Sequence, residues 1–425
     1  MRQDLKWAIY NLLFAGVFPL LLPGFLLRMC RRGGYAARMG DRFALYPEGL
    51  IPPSGDSVWI HAVSVGEVQV AGQLMREWRK VDSAVRFCFS TTSSTGWKMA
   101  EREVDQSRDV LIYNPLDFPN FVKSALKRIR PRAIVLTESE LWPNFVLYAR
   151  KLNIPVYLIN ARVSDRSAPR YRLARFFFRD VLSAFTRIFA QSELDARRLL
   201  DAGAPQAVVT VTGSFKFDVA HRHPAKEQEL SAWLGAKSPV WLGGSTWPGE
   251  DEVLLRIYRQ RLAAGGAATL VIAPRHFEKA DAVEANIVKA GFACIRRSRG
   301  ETFAQVPADR PAVFLADTTG ELMGLYGIAD KVFVGKSLCA HGSQNMIEPC
   351  LCGKPTAVGP YTENFRPVMS DLLAAAALVQ VQNEDELARF FLSEQPELGA
   401  RATAAVAQRT GVVAKCVAAI REGLA

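Results

Sequence analysis

The chain has no Gly-x-Gly-x-x-Gly run, no paired Cys-x-x-Cys units and no Asp-x-Asp at the end of an expected strand. The first absence leaves a dinucleotide without its fingerprint, whose glycines let backbone approach a pyrophosphate. The second, with only five histidines and none at finger spacing, argues against a structural zinc. The third removes the usual metal-binding pair, so neither a metal nor a cofactor is expected. Seven cysteines, at 30, 88, 294, 339, 350, 352 and 416, read as inert thiols in a reducing compartment, with Cys350 and Cys352 in the core. Acidic residues are the minority, 42 against 53 Lys and Arg, for a net charge of +11. That surplus asks for an anionic partner: nucleic acid, anionic lipid or a phosphorylated substrate.

Charge is missing altogether from residues 7–27. Roughly 20 apolar residues suffice to cross a bilayer as a helix, but Pro19 and Pro23 interrupt the run, so it kinks or enters one leaflet only. No small-x-small cleavage site follows. Arg28, Arg31, Arg32, Arg38 and Arg42 do, and the positive-inside bias then keeps the rest of the chain cytoplasmic. A buried core helix is the other reading of the same stretch.

What is present is alternation. At 425 residues the chain exceeds what one core usually serves, so two domains are expected. Apolar strand patterns at 58–63, 85–90, 110–113, 133–136, 156–159 and 188–190 are separated by helical spacing, which predicts βαβ units and a parallel sheet. Strands at 240–242, 268–272, 313–316, 332–334 and 356–358 repeat the pattern. Two Rossmann-like halves facing a central cleft is the economical α/β architecture, with ligands at strand ends.

The strand ends carry the chemistry. In WIHAVSVGEVQV, residues 59–70, the strand runs into small residues and Glu67 opens the next helix, either as a site carboxylate or as a first-turn residue suiting the helix dipole. TESELWP, residues 137–143, repeats that logic: Glu138 is nearest the strand, while Glu140 is either a site group or a helix cap before Pro143. Lys216 follows the short strand 208–211. In the second half, backbone amides and hydroxyls at 243–246, the fork of Arg275 and the helix start at 345–348 suit an anion or a sugar. Six arginines, Arg162, Arg166, Arg170, Arg172, Arg175 and Arg179, interleave with aromatics. They suit a membrane surface or an anionic headgroup, or else a core helix with a solvated face. No nucleic-acid motif accompanies them, so nucleic acid is not the expected partner.

HAVSVGE, TESELWPN, NARVSDRS, TGSFKFD, APRH, GELMGLYGIAD and NMIEP, in that order, resemble the 3-deoxy-D-manno-octulosonic acid (Kdo) transferases, inverting glycosyltransferases of the GT-B fold. The likeness runs from the N-terminal hydrophobic segment, through RMGDRF at 38–43, to about residue 373. It implies transfer of Kdo from CMP-Kdo to a lipid A precursor, lipid IVA, in lipopolysaccharide synthesis at the cytoplasmic face of the inner membrane. By motif position it implies Glu67 as general base, with Glu138 and Lys216 as catalytic partners. CMP contacts fall on Pro274, Arg275, Thr319, Gly320, Glu321, Asn345, Met346, Ile347 and Glu348. The six arginines would then face acceptor and membrane lipids. Lys336, Ser343 and Gln344 depart from the family pattern, Lys336 standing where a second glycine is usual. The expected division is a membrane anchor over 1–30, an acceptor domain over 31–220, a linker over 221–238 and a CMP-sugar domain over 239–425. Alternatives are another GT-B enzyme, a transferase or epimerase using a UDP-sugar, and a non-catalytic basic protein docked on a membrane.

Overall fold

Segments such as VWIH, FCFST, AIVLT and VYLINA are buried along their whole length, as strands covered on both faces must be. The computed structural model describes residues 3–32, 36–52, 55–218, 224–236, 238–307 and 310–424. Its first sheet holds β1 Val58–His61, β2 Phe87–Thr91, β3 Val110–Tyr113, β4 Ala133–Thr137, β5 Val156–Ala161, β6 Arg187–Ala190 and β7 Val209–Val211. The order is β3-β2-β1-β4-β5-β6-β7, parallel throughout. Side chains alternate across it. Trp59, Ile134 and Leu136 join one core, while Val58, Ile60, Ala133 and Val135 join the other with Val68, Leu74 and Trp78 of the helix Val65–Val81. Each large aliphatic side chain so buried contributes roughly 1.5–3 kcal/mol.

The second sheet holds β8 Val240–Thr246, β9 Thr269–Pro274, β10 Ala293–Arg296, β11 Ala312–Leu315, β12 Lys331–Val334, β13 Thr356–Val358 and β14 Val379–Gln380. Its order, β10-β11-β9-β8-β12-β13-β14, is again parallel throughout. Both sheets therefore reverse their winding once, between β1 and β4 and between β8 and β12, and each reversal opens a crevice above the carboxyl ends of the strands.

The chain divides into one unit of residues 1–218 with 411–425 and another of 219–410. This differs from the expected boundaries at both ends of the second domain. Part of the expected linker, Pro224–Leu234, is a helix with Leu230, Trp233 and Leu234 buried; residues 221–223 and 237 lie outside the described residues. The last helix, Val412–Glu422, returns to the first unit, where Val412, Val413, Cys416, Val417 and Ile420 pack on the Trp78 side of the sheet.

Residues 3–32 form one helix that includes Pro19 and Pro23. Its start is docked on the first unit rather than held apart. Trp7 is buried and its indole donates to Asn144 Oδ1, Tyr10 donates to Asp117 Oδ2 at 2.9 Å, and Lys6 pairs with Asp180 at 2.7 Å. Farther along, Leu12, Leu13, Val17 and Leu20 are exposed. Among the described residues no helix is long and apolar enough to cross a membrane.

Candidate functional site

The β1–β4 reversal brings two of the expected carboxylates to one crevice. Ser64 caps the helix Val65–Val81, its Oγ accepting from the Glu67 amide at 3.3 Å. The Glu67 carboxylate reaches back past the cap: it accepts from the Val63 amide at 3.0 Å and from Ser64 Oγ at 2.7 Å. A third partner comes from the neighbouring strand, where Thr137 Oγ1 lies 3.1 Å from Glu67 Oε2 and 3.0 Å from the His61 carbonyl. The carboxylate is thus fixed in orientation, with Glu67 itself 8% exposed.

Glu138 follows β4 with φ +51°, and Trp142 in the same loop has φ +35°. Left-handed backbone costs a residue with a Cβ roughly 1–2 kcal/mol. Two such residues within five positions mark a loop held in place by its surroundings, a pattern concentrated at functional sites. Glu138 faces Arg162 at 3.6 Å and Asn160 Nδ2 at 3.5 Å. Burial raises its pKa, partly opposed by Arg162 and Lys216 and reinforced by Glu67. Burial also lowers the pKa of Lys216, against the attraction of Glu138. Asn160 is fully buried and its Oδ1 accepts from the Phe215 amide at 3.1 Å, which ties the Glu138 side of the crevice to the loop that carries Lys216.

Glu140 belongs to this group too. The helix Pro143–Lys151 starts without a side-chain cap, and Glu140 Oε2 instead accepts from the Trp142 indole at 2.7 Å. Burial, then the nearby Glu67 charge, pushes its pKa up to about 7. His61 lies 4.0 Å from the same carboxylate, fully buried, its pKa driven down to about 3 by desolvation. Its Nδ1 sits 3.1 Å from the Ser90 carbonyl and 2.9 Å from Ser90 Oγ, and its Nε2 has no hydrogen-bond partner among the described residues. Sequence reasoning passed over His61, Thr137 and Asn160, although each stands at the end of its strand, the position that singled out Glu67.

All six arginines are exposed. Arg162 alone of them is given a carboxylate at this crevice; the others lie on or just before the helices Ala168–Leu173 and Arg175–Leu182. Those helices keep Tyr171, Phe177 and Phe178 partly buried against the core and leave Leu173 and Phe176 exposed. Lys6 donates to the Phe176 carbonyl at 2.8 Å and Tyr10 stacks on Phe177 at 5.4 Å, so the arginine helices and the N-terminal helix share a surface.

In the second unit the expected ligands follow β9, β11 and β12, strands on the two sides of β8. Pro274 ends β9 opposite Thr246, and the Arg275 amide donates to the Thr246 carbonyl at 3.1 Å. Asn345 Nδ2 donates to Glu348 Oε1 at 3.0 Å, and burial raises the pKa of Glu348 despite that bond. Met346 and Ile347 are fully buried, so their side chains fill core and offer a ligand no surface. Thr319 and Gly320 are exposed beyond β11, whereas Glu321 is held by Arg297 at 3.0 Å and Lys226 at 3.3 Å. The pKa of Glu321 is lowered: burial raises it, but Arg297 and Thr318 outweigh that. Its carboxylate orders the loop around Thr319.

Residues 37–219 match the family model for 3-deoxy-D-manno-octulosonic-acid transferase (kdotransferase). The chain is 32% identical over 369 residues to the 3-deoxy-D-manno-octulosonic acid transferase of Haemophilus influenzae, covering 86% of this chain and 84% of the relative. It is 35% identical over 386 residues to that of Bordetella pertussis, covering 88% and 87%. Among solved structures, a glycosyltransferase from Rickettsia africae is similar with a TM-score of 0.55 at 12% identity, over 87% of this chain and 98% of that one, a likeness of fold alone.

Proposed function

The chain belongs to the 3-deoxy-D-manno-octulosonic acid transferases, and from that premise we propose that it moves Kdo from CMP-Kdo to a lipid A precursor, lipid IVA, by inverting displacement. In this reaction the acceptor hydroxyl oxygen bonds to the anomeric carbon as the bond from that carbon to the CMP phosphate breaks. Glu67 takes the hydroxyl proton, a role worth roughly 10² to 10⁴ in rate for a positioned base. The observation that carries this reading is the convergence of Glu67 with Glu138 and Glu140 at the reversal point of the first sheet. Three hydrogen bonds hold the Glu67 carboxylate there. Glu138 orients Lys216 beside it. The leaving phosphate falls to Arg275 and the exposed amides at Thr319 and Gly320, and Glu348 accepts from ribose hydroxyls.

The acceptor is a phosphorylated lipid, which accounts for the basic surplus without nucleic acid. Exposed Leu12, Leu13, Val17 and Leu20, beside Leu173, Phe176 and the arginine helices, make an apolar and basic surface suited to anionic lipid. The site of action is then the cytoplasmic side of the inner membrane. Incubation with CMP-Kdo and lipid IVA, counting added sugars by mass, tests the whole reading: one or more Kdo units is the expected result, and no addition defeats it.

A further inference from the structure

We infer that Lys336 binds an anionic oxygen of the donor, at the reversal point of the second sheet. This rests on the donor reading above and extends it to a residue that reading does not use. Lys336 lies two residues past β12 with φ +56°, a backbone conformation in which glycine is the unstrained choice. The loop does not relax from it. The Lys336 amide donates to Glu250 Oε2 at 2.8 Å, its carbonyl accepts from the Ser343 amide at 2.7 Å, and buried Glu250 also takes the amides of Ser337 and Leu338 at 3.0 Å each.

The side chain projects over Trp247, its ammonium 4.6 Å from the ring centre. That ring follows β8 and meets His276, which follows β9, at 5.4 Å. Arg275 precedes His276, so two permanent cations, Lys336 and Arg275, flank the end of β8. Among the described residues no carboxylate lies within salt-bridge distance of either. By contrast the cations beside β10 are matched: Arg296 has Asp281, Glu284 and Asp317, and Arg297 has Glu229 and Glu321. The nearby acids are already engaged, Glu250 by backbone amides and Glu278 by His276 at 3.3 Å. An unpaired ammonium on a strained, tethered loop, with Arg275 across the end of β8, fits a phosphate or a sugar carboxylate.

The test is titration of the full chain and of Lys336→Gly and Lys336→Met with CMP, cytidine and CMP-Kdo by calorimetry at two ionic strengths. Glycine suits the backbone, so Lys336→Gly keeps the loop; methionine keeps the apolar stem. Both variants are expected to bind an anionic ligand about tenfold more weakly at low salt, with cytidine unchanged. A loss already present with CMP assigns the phosphate, and a loss confined to CMP-Kdo assigns the sugar carboxylate. Unchanged affinity for both anionic ligands, or a parallel loss for cytidine, overturns the inference. Should Arg275→Ala weaken CMP while the Lys336 variants do not, this inference alone fails; a parent chain that binds neither CMP nor CMP-Kdo brings down the donor reading itself.

Discussion

A glutamine at position 67 separates the two tasks of that carboxylate. Glu67→Gln keeps one oxygen for the Val63 amide and the Thr137 hydroxyl and turns an amide donor toward Ser64 Oγ, so the helix start survives, but it accepts no proton. Transfer is expected to fall at least 100-fold, while CMP affinity, proposed above for the other unit, stays within twofold. Single-turnover rates beside CMP titrations check this, and a variant that retains transfer removes Glu67 as the base. Glu140 gives a second prediction through pH. Its folded pKa of about 7 lies above the ordinary carboxylate value, so the folded state holds the extra proton between roughly pH 4.5 and 7. Its contribution to stability is therefore complete below that window and is lost as pH rises through it. Glu140→Gln should flatten the fall in unfolding free energy across the window. Asp117, whose burial also raises its pKa to about 7, contributes equally to both proteins and cancels in the difference. Equal slopes for parent and variant would mean that Glu140 is ionised throughout. Glu67 and Glu138 were legible in the sequence because a carboxylate just past an apolar strand has few places to go. Glu140 was not, since capping and site-forming carboxylates look alike two residues before a Trp-Pro.

At the level of elements, the N-terminal helix begins in the core of the first unit and runs on with exposed apolar side chains. Its apolar run was readable, but not the Trp7–Asn144 and Tyr10–Asp117 contacts, which join residues more than a hundred positions apart. Trp7→Ala should cost about 3 kcal/mol in urea unfolding of detergent-solubilised protein, through a cavity and an unpaired Asn144 oxygen. A change under 1 kcal/mol would make the helix a dispensable appendage. The arginine helices have the opposite character, with charges turned outward. Replacing Arg170, Arg172 and Arg175 with glutamine should weaken capture of membrane-presented acceptor by on the order of a hundredfold at low salt and less at high salt, at about 1 kcal/mol per basic residue. CMP-Kdo affinity should not move. If the acceptor constant is unchanged at both salts, these arginines only solvate their helices.

Across the whole molecule, alternating strands and helices disclose two parallel sheets, because period 2 and period 3.6 are local signals. The ownership of the last helix is not local. Val412, Val413, Cys416, Val417 and Ile420 recur at helical spacing and announce one buried face, yet nothing in that spacing says which core receives it. The partner is Asp218, nearly two hundred residues earlier, whose carboxylate accepts from the Gly411 amide at 2.6 Å and the Val413 amide at 2.7 Å at the helix start. Removing residues 411–425 uncovers apolar surface over Val68, Leu74 and Trp78. Five buried side chains at roughly 1.5–3 kcal/mol each are comparable to a typical domain's entire stability of about 5–15 kcal/mol. The truncated chain should therefore lose amide-exchange protection in β1, β4 and β5 while β8, β9 and β12 stay protected and CMP still binds. Asp218→Ala should act in the same direction by about 1 kcal/mol, the usual worth of a helix cap. Exchange that rises equally in both sheets, or a loss of CMP binding, would show that the second unit depends on this helix as well.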